Sequence, residues 1–305
     1  LGRYCLYGNL FARMGIGSNG KIYRLDRHPS MSKHPVTPAD ESDLRLHLGK
    51  QTNKKFGLIG VLQLDKPVNE WGNDLAENEE VVLIDALYES QLIKIGEWVN
   101  GLSSTKQFSV GGSGIEAALG NYWNEKGLLK QRTAWQKIEK ANPLLVMSGS
   151  CSPVTAAQIA FAKANYFEEV ELDAVKICND EIAESAVVDK INRLLQQQKN
   201  LIVHTGQKTI NNLSSEKLGT ALGNIARQAV EKINLQRVVI AGGDTSSYAA
   251  RAMGIDAVEM IAPLVSGAPL CKAISNNKSI NGLEVNFKGG QVGSENYFEM
   301  LLNGE

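Results

Sequence analysis

The chain holds 305 residues, 43% of them hydrophobic and 21% charged, and its 32 basic and 33 acidic side chains leave a formal charge of −1. That composition excludes disordered and collagen-like chains and is large enough for two domains at roughly 100–200 residues each. The balanced charge gives no electrostatic reason to expect nucleic acid, and apolar runs such as 81–84 and 238–241 fall far short of the ~18 residues of a membrane span.

The chain begins Leu1-Gly2-Arg3, with no initiator methionine and no leader-like pattern before a strand-like stretch at 4–7. The expectation is that the natural start lies upstream and that the first domain is incomplete. Next comes a segment dense in Arg, Asp, His and Pro, from Tyr23-Arg24-Leu25-Asp26-Arg27-His28-Pro29 to His34-Pro35-Val36-Thr37-Pro38. Guanidinium groups pair bidentately with carboxylates, so this loop suits a small acidic ligand, although solvated surface charge would look the same. Apolar runs at 56–61 and 81–86 predict buried strands, and apolar spacing over 89–102 (Leu92, Ile95, Trp98, Val99) predicts a helix. Val110-Gly111-Gly112-Ser113-Gly114 opens a helix at 115–119 that could meet an anion at its start. The charged stretch 121–142 ends in Asn142-Pro143, a helix-stopping pair, which places the domain boundary there: 1–142 and 143–305.

Beyond it the pattern alternates. Strands are predicted at 144–148, 173–177, 201–205 and 237–241, with helices at 156–166, 180–198 and 218–233 between them. The first strand runs into Ser148-Gly149-Ser150-Cys151-Ser152-Pro153-Val154-Thr155, a small, hydroxyl-rich turn with Ser152 or Thr155 as helix cap. The strand 237–241 runs into Gly242-Gly243-Asp244-Thr245-Ser246 and a helix at 248–253. There two glycines permit close approach, while Asp244 and the hydroxyls can hold a ribose, a phosphate-bound magnesium ion or the helix end itself. A strand at 283–287 precedes Lys288-Gly289-Gly290-Gln291-Val292-Gly293, which has neither the P-loop nor the dinucleotide spacing. Each turn alone reads as an ordinary capped strand end. Together they favour a ligand, because loops at the carboxyl ends of parallel strands meet in one crevice.

The four cysteines (Cys5, Cys151, Cys178, Cys271) and four histidines (His28, His34, His47, His204) are too dispersed for a zinc or redox motif, and a reduced, cytoplasmic protein is expected. In chain order, Ser-Gly-Ser-Cys-Ser-Pro-Val-Thr at 148–155 followed by Ala156-Ala157-Gln158, Ala-Gly-Gly-Asp-Thr-Ser at 241–246 and Lys-Gly-Gly-Gln-Val-Gly at 288–293 resemble the four-carbon acid sugar kinase family. The resemblance implies an α/β fold of two domains with mainly parallel sheets flanked by helices, the ligand site lying in the cleft between them. It implies an N-terminal domain for the sugar acid, a C-terminal domain for ATP with Mg²⁺, and phosphorylation of threonate, erythronate or a 3-oxo-tetronate. Ser148, Ser150, Ser152, Gly242, Gly243, Asp244, Thr245, Gly289 and Gly290 would then line the nucleotide site. Arg27, His28 and His34 would be the candidate substrate contacts, and a homodimer stays open. The family's Asp-Asp-x-Thr-Gly element is absent, since no Asp-Asp pair occurs in the chain, so the catalytic base is unassigned. The competing expectation is a nucleotide-binding regulatory module without kinase activity.

Overall fold

The computed structural model describes residues 3–14, 20–33, 37–102, 108–206, 213–265 and 267–305. The chain divides into two compact units, Leu1–Thr133 and Ala134–Glu305.

In the first unit, β1 (Arg3–Leu6), β2 (Asn9–Met14) and β3 (Lys21–Arg24) form an antiparallel three-stranded sheet. A short helix α1 (Leu44–Gly49) follows, capped by Asp43, whose carboxylate accepts from Arg45 N. Then β4 (Phe56–Ile59) pairs in parallel with β5 (Val81–Ile84), and α2 (Ser90–Gly101) and α3 (Gly114–Glu125) pack beside them. Among the described residues of this half β4 and β5 are the parallel pair and the hairpin strands before them are antiparallel, so the parallel-rich α/β pattern is carried mainly by the second unit. Tyr23 and Arg24 extend a hairpin and Leu25–Arg27 form one 3-10 turn, so this part of the expected loop is ordered secondary structure.

The second unit is built on one seven-stranded sheet. In chain order its elements are β6 (Leu145–Ser148), α4 (Pro153–Ala164), β7 (Phe167–Glu171), α5 (Ala174–Cys178), α6 (Glu184–Gln196), β8 (Asn200–His204), α7 (Ser215–Lys232) and β9 (Arg237–Ala241). They continue with α8 (Gly243–Ala252), β10 (Ala257–Val265), β11 (Ala268–Ile274), β12 (Glu284–Lys288) and α9 (Tyr297–Asn303). The spatial order is β10-β11-β12-β9-β6-β8-β7; β12, β9, β6, β8 and β7 run parallel, and β10 and β11 add an antiparallel edge.

Every residue of β6 and β9 is buried, as continuous apolar runs covered on both faces require. Leu145, Met147, Val238 and Ile240 face α6, α7 and α8. Val146, Val239 and Ala241 face α4 and α9. At the foot of the sheet the fully buried Arg237 donates through Nε to Glu284 Oε2 (2.7 Å), and its Nη atoms reach the carbonyls of Leu301 and Glu139 (the latter 2.9 Å). Ala141 N donates to Leu302 O (2.8 Å), so segment 134–142, which its composition sets before the boundary, packs on the second unit.

One expected strand is absent. Residues 173–177 fall on α5, because the Asp173 carboxylate accepts from Val175 N and Lys176 N and so caps a helix. The strand lies earlier, at β7, where Glu168 and Glu171 face solvent on a sheet edge and hide its apolar alternation.

Candidate active site

Three of the parallel strands end level with one another. Ser148, the last residue of β6, pairs with Ala241 of β9, which pairs with Lys288 of β12. The turns that follow are stitched at this level, Gly149 N donating to Ala241 O (3.2 Å) and Gly242 N to Lys288 O (2.9 Å). After β6 the chain goes to α4 on one face of the sheet, and after β9 it goes to α8 on the other. Neighbouring strands whose helices part to opposite faces leave a crevice at their carboxyl ends, the topological switch point where open α/β sheets bind ligands.

The crevice is walled by small residues in close contact. Ser148 Oγ accepts from Ser150 N (3.4 Å), Ser150 Oγ from Ser152 N (3.3 Å), and Ser152 Oγ from Val154 N (3.2 Å), a ladder that ends in the cap of α4. Gly242 sits at φ +128°, in the region that favours glycine, and turns β9 directly into α8. A Cβ at Gly149 would come within 2.6 Å of Thr245 Oγ1, and one at Gly290 within 3.0 Å of Ser150 Oγ and Ser152 Cβ. Six of the nine expected nucleotide residues, Ser148, Ser150, Ser152, Gly242, Thr245 and Gly290, are thereby brought together at this end of the sheet. The remaining three, Gly243 and Asp244 in the first turn of α8 and Gly289 next to Lys288, adjoin them in the chain.

A Cβ at Gly243 would meet nothing within 4 Å. The first intrahelical bond of α8 runs from Ser246 N to Gly242 O, so the amides of Gly243, Asp244 and Thr245 have no acceptor within the helix and present the positive end of its dipole. Asp244 is exposed there and is the carboxylate at hand. Such a set fits a polyphosphate carried with Mg²⁺, an ion that takes one or two protein oxygens and draws the rest of its shell from phosphate and water. Among the described residues no cluster of three or more His, Cys, Asp or Glu could hold a metal by itself. Cys151 is exposed in the serine turn, and desolvation pushes its thiol pKa up, against a nucleophilic role.

Sequence reasoning missed four residues around this end of the sheet. Lys288, Thr155 and Gln158 are fully buried between β12 and α4. Lys288 Nζ donates to Thr155 Oγ1 (2.9 Å), Thr155 Oγ1 to Gly290 O (3.1 Å), and Gln158 Nε2 to the carbonyls of Val292 and Ser294 (2.9 Å each). The fourth, His204, pairs in register with Ser148. Its Nδ1 accepts from Gly206 N (3.0 Å), so the ring proton sits on Nε2 and is donated to Glu169 Oε1 (2.8 Å). Lys163 holds Glu169 from the other side (2.6 Å), and that side chain, with His204, keeps the Glu169 carboxyl below the usual range. A lysine closing a strand and a glutamine inside a helix look like surface residues; only the pairing with α4 shows them buried.

Of the candidate substrate contacts, Arg27 and His28 lie among the described residues of the first unit. Arg27 is exposed on its 3-10 turn. His28 is 4% exposed and its Nδ1 accepts from the amides of Ser30 and Met31 (3.2 Å each), so this imidazole shapes the turn. His34 lies outside the described residues. A cavity of about 250 Å³ beside this turn is lined by Arg3, Leu10, Leu25, Met31, Thr37 and Ala39, with one cation. A larger one of about 620 Å³ between Trp71 and Trp98 carries Glu97 and, among the described residues that line it, no cation. Asp85, fully buried after β5, accepts from Tyr7 N (2.6 Å), Gly8 N (2.9 Å) and Val61 N (2.9 Å) and so ties the first hairpin to the end of β4. Burial first, then this carboxylate, push the Cys5 thiol up to about 12.

The family description "nucleotide-binding C-terminal domain" matches residues 145–298, and "sugar-binding N-terminal domain" matches residues 1–119. The chain is 38% identical to 3-oxo-isoapionate kinase of Paraburkholderia graminis, over 100% of this chain and 68% of the relative. It is 24% identical to 3-oxo-tetronate kinase of Pectobacterium atrosepticum, over 92% of this chain and 68% of the relative. A solved protein of Salmonella typhimurium shares its fold with a TM-score of 0.72 at 22% identity, covering 98% of this chain and 69% of that one.

Proposed function

The chain belongs to the four-carbon acid sugar kinase family, and on that premise we propose that it transfers a phosphoryl group from ATP to a hydroxyl of a 3-oxo sugar acid of the isoapionate or tetronate type. The observation that carries this reading is the level row Ser148–Ala241–Lys288, which sets three small-residue turns around one crevice. Isoapionate enters beside the four-carbon acids because the relative with 38% identity acts on the 3-oxo-isoapionate form.

In this reading the amides of Gly243, Asp244 and Thr245, with the hydroxyls of Ser148, Ser150 and Ser152 and the bare backbone of Gly242, Gly289 and Gly290, hold the nucleotide. Mg²⁺ bound with ATP supplies neutralisation of phosphate charge, and Asp244 is the residue that would hold it. The protein's own contribution is positioning and fixed dipoles aimed at charge that develops on the transferred group. Small residues let the phosphates reach the main chain, and buried strands keep the donors from reorganising. For the acid, Arg27 offers an exposed guanidinium suited to a carboxylate, His28 backs its turn, and His34 stands as the third proposed contact.

The test is a panel of sugar acids, 3-oxo and reduced, offered with MgATP while ADP release is followed. The expected result is ADP release that depends on a 3-oxo acid and is smaller with the reduced analogues. ADP release indifferent to every acid would overturn the assignment.

A further inference from the structure

Lys288 is the buried ion the proposed site does not yet use. It closes β12, is 0% exposed, and stands between the sheet and the Gly289–Gly290 loop. An ammonium can only donate, so its bond to Thr155 Oγ1 (2.9 Å) leaves the threonine hydroxyl to give its own proton to Gly290 O (3.1 Å). Thr155 is likewise 0% exposed. Gly290 in turn abuts Ser150 and Ser152 so closely that a Cβ there would touch both. The chain of contacts therefore runs from a buried charge to the placement of two crevice walls.

Among the described residues no acidic side chain neutralises that charge. Among the described residues no carboxylate lies within 4.0 Å of Lys288 Nζ; Asp244 of α8 makes no ion pair with it. From α9 the Tyr297 ring lies 5.7 Å away, and burial raises that phenol so that it stays neutral. From α4 comes the Thr155 hydroxyl, and on β12 itself Asn286 is an uncharged amide bonded to Tyr297 Oη (2.9 Å). A buried ammonium held by a hydroxyl and a ring is costly unless an anion arrives.

We propose that Lys288 and Thr155 are positioning residues of the nucleotide site: Lys288 orients the Thr155 hydroxyl, Thr155 holds Gly290 against the Ser150–Ser152 turn, and the bound polyphosphate supplies the counter-charge to the lysine. This rests on the nucleotide-site reading above. Burial alone pulls Lys288 down to about 8, so the charge that favours the anion is present below that pH and is lost as pH rises through it.

The experiment is calorimetric titration of MgATP into wild type, Thr155→Val, Thr155→Ser and Lys288→Met, with wild type and Lys288→Met repeated between roughly pH 7 and 9.5, a range spanning the lowered lysine value. Thr155→Val and Lys288→Met are expected to weaken binding about 10- to 100-fold, and Thr155→Ser, which keeps the hydroxyl, to stay within about threefold. Wild-type affinity is expected to fall above pH 8 and that of Lys288→Met to stay flat, a readout that loss of packing would not produce. A wild type that binds with a flat pH profile overturns the relay alone, and needs no variant to fold. A wild type that binds no MgATP at any pH overturns the nucleotide-site reading and the relay with it.

Discussion

The same two strands, β9 and β12, carry a fully buried cation at each end, and the two ends are built differently. At the foot, Arg237 meets Glu284 across the register, with the carbonyls of Leu301 and Glu139 accepting from its Nη atoms. At the tip, Lys288 has a hydroxyl, an aromatic face and, among the described residues, no acid. Saturated charge locks the C-terminal helix and segment 134–142 to the sheet, whereas charge left without an acid, beside three glycine- and serine-rich turns, is a place where a ligand anion is worth binding. On the proposed reading, stability and function are separated along a single strand pair.

Removing the foot is expected to cost most. Arg237→Met leaves Glu284 and two carbonyls without their donor and should lower the unfolding free energy by ~3–5 kcal/mol, read by urea denaturation, while the folded fraction binds MgATP with wild-type affinity. Lost nucleotide binding in that folded fraction would break the separation. The tip should show the opposite sign. Lys288 falls from 10.5 to about 8 on folding, so between those values the unfolded chain binds more protons than the folded one and stability rises with pH. The wild-type unfolding free energy measured relative to Lys288→Met is expected to climb by ~3 kcal/mol from pH 8 to pH 10.5; a constant difference would mean that the lysine is not desolvated in the folded chain. Smaller still is the cap of α4. Ser152→Ala removes the acceptor for Val154 N and should cost ~1 kcal/mol by thermal melting. A cost near zero would mean that the serine ladder does not hold α4 at the crevice.

Much of this fold could be read directly from residues, and the reason is local. The strand Arg237–Ala241 is a continuous apolar run stopped by two glycines, and the turn after β6 announces itself by four small residues and a proline. Such signals come from the chain's own conformational limits. What escaped depends on partners far away in sequence. The antiparallel β10, largely exposed, and β11, mostly buried beside it, extend the sheet through pairing with each other and with β12. The acidic β7 is a strand because it lies beside β8. Asp173 caps a helix where its apolar neighbours suggested a strand. In the proposed site, glycines and serines were legible because the close packing of the turns on one another restricts residue size, but Lys288, Thr155 and His204 owe their meaning to contacts made across 133, 133 and 35 residues of chain.

The central claim, that the turns after β6, β9 and β12 grip a triphosphate through their main chain, is tested most directly at Gly243. A Cβ there meets no heavy atom within 4 Å, so Gly243→Val at the start of α8 should keep the wild-type melting temperature within about 2 °C, a stability change of under ~0.5 kcal/mol. MgATP affinity measured by calorimetry on this variant is expected to fall at least about 100-fold, the loss of roughly 2.7 kcal/mol of binding. An intact fold binding MgATP as tightly as wild type would contradict the account.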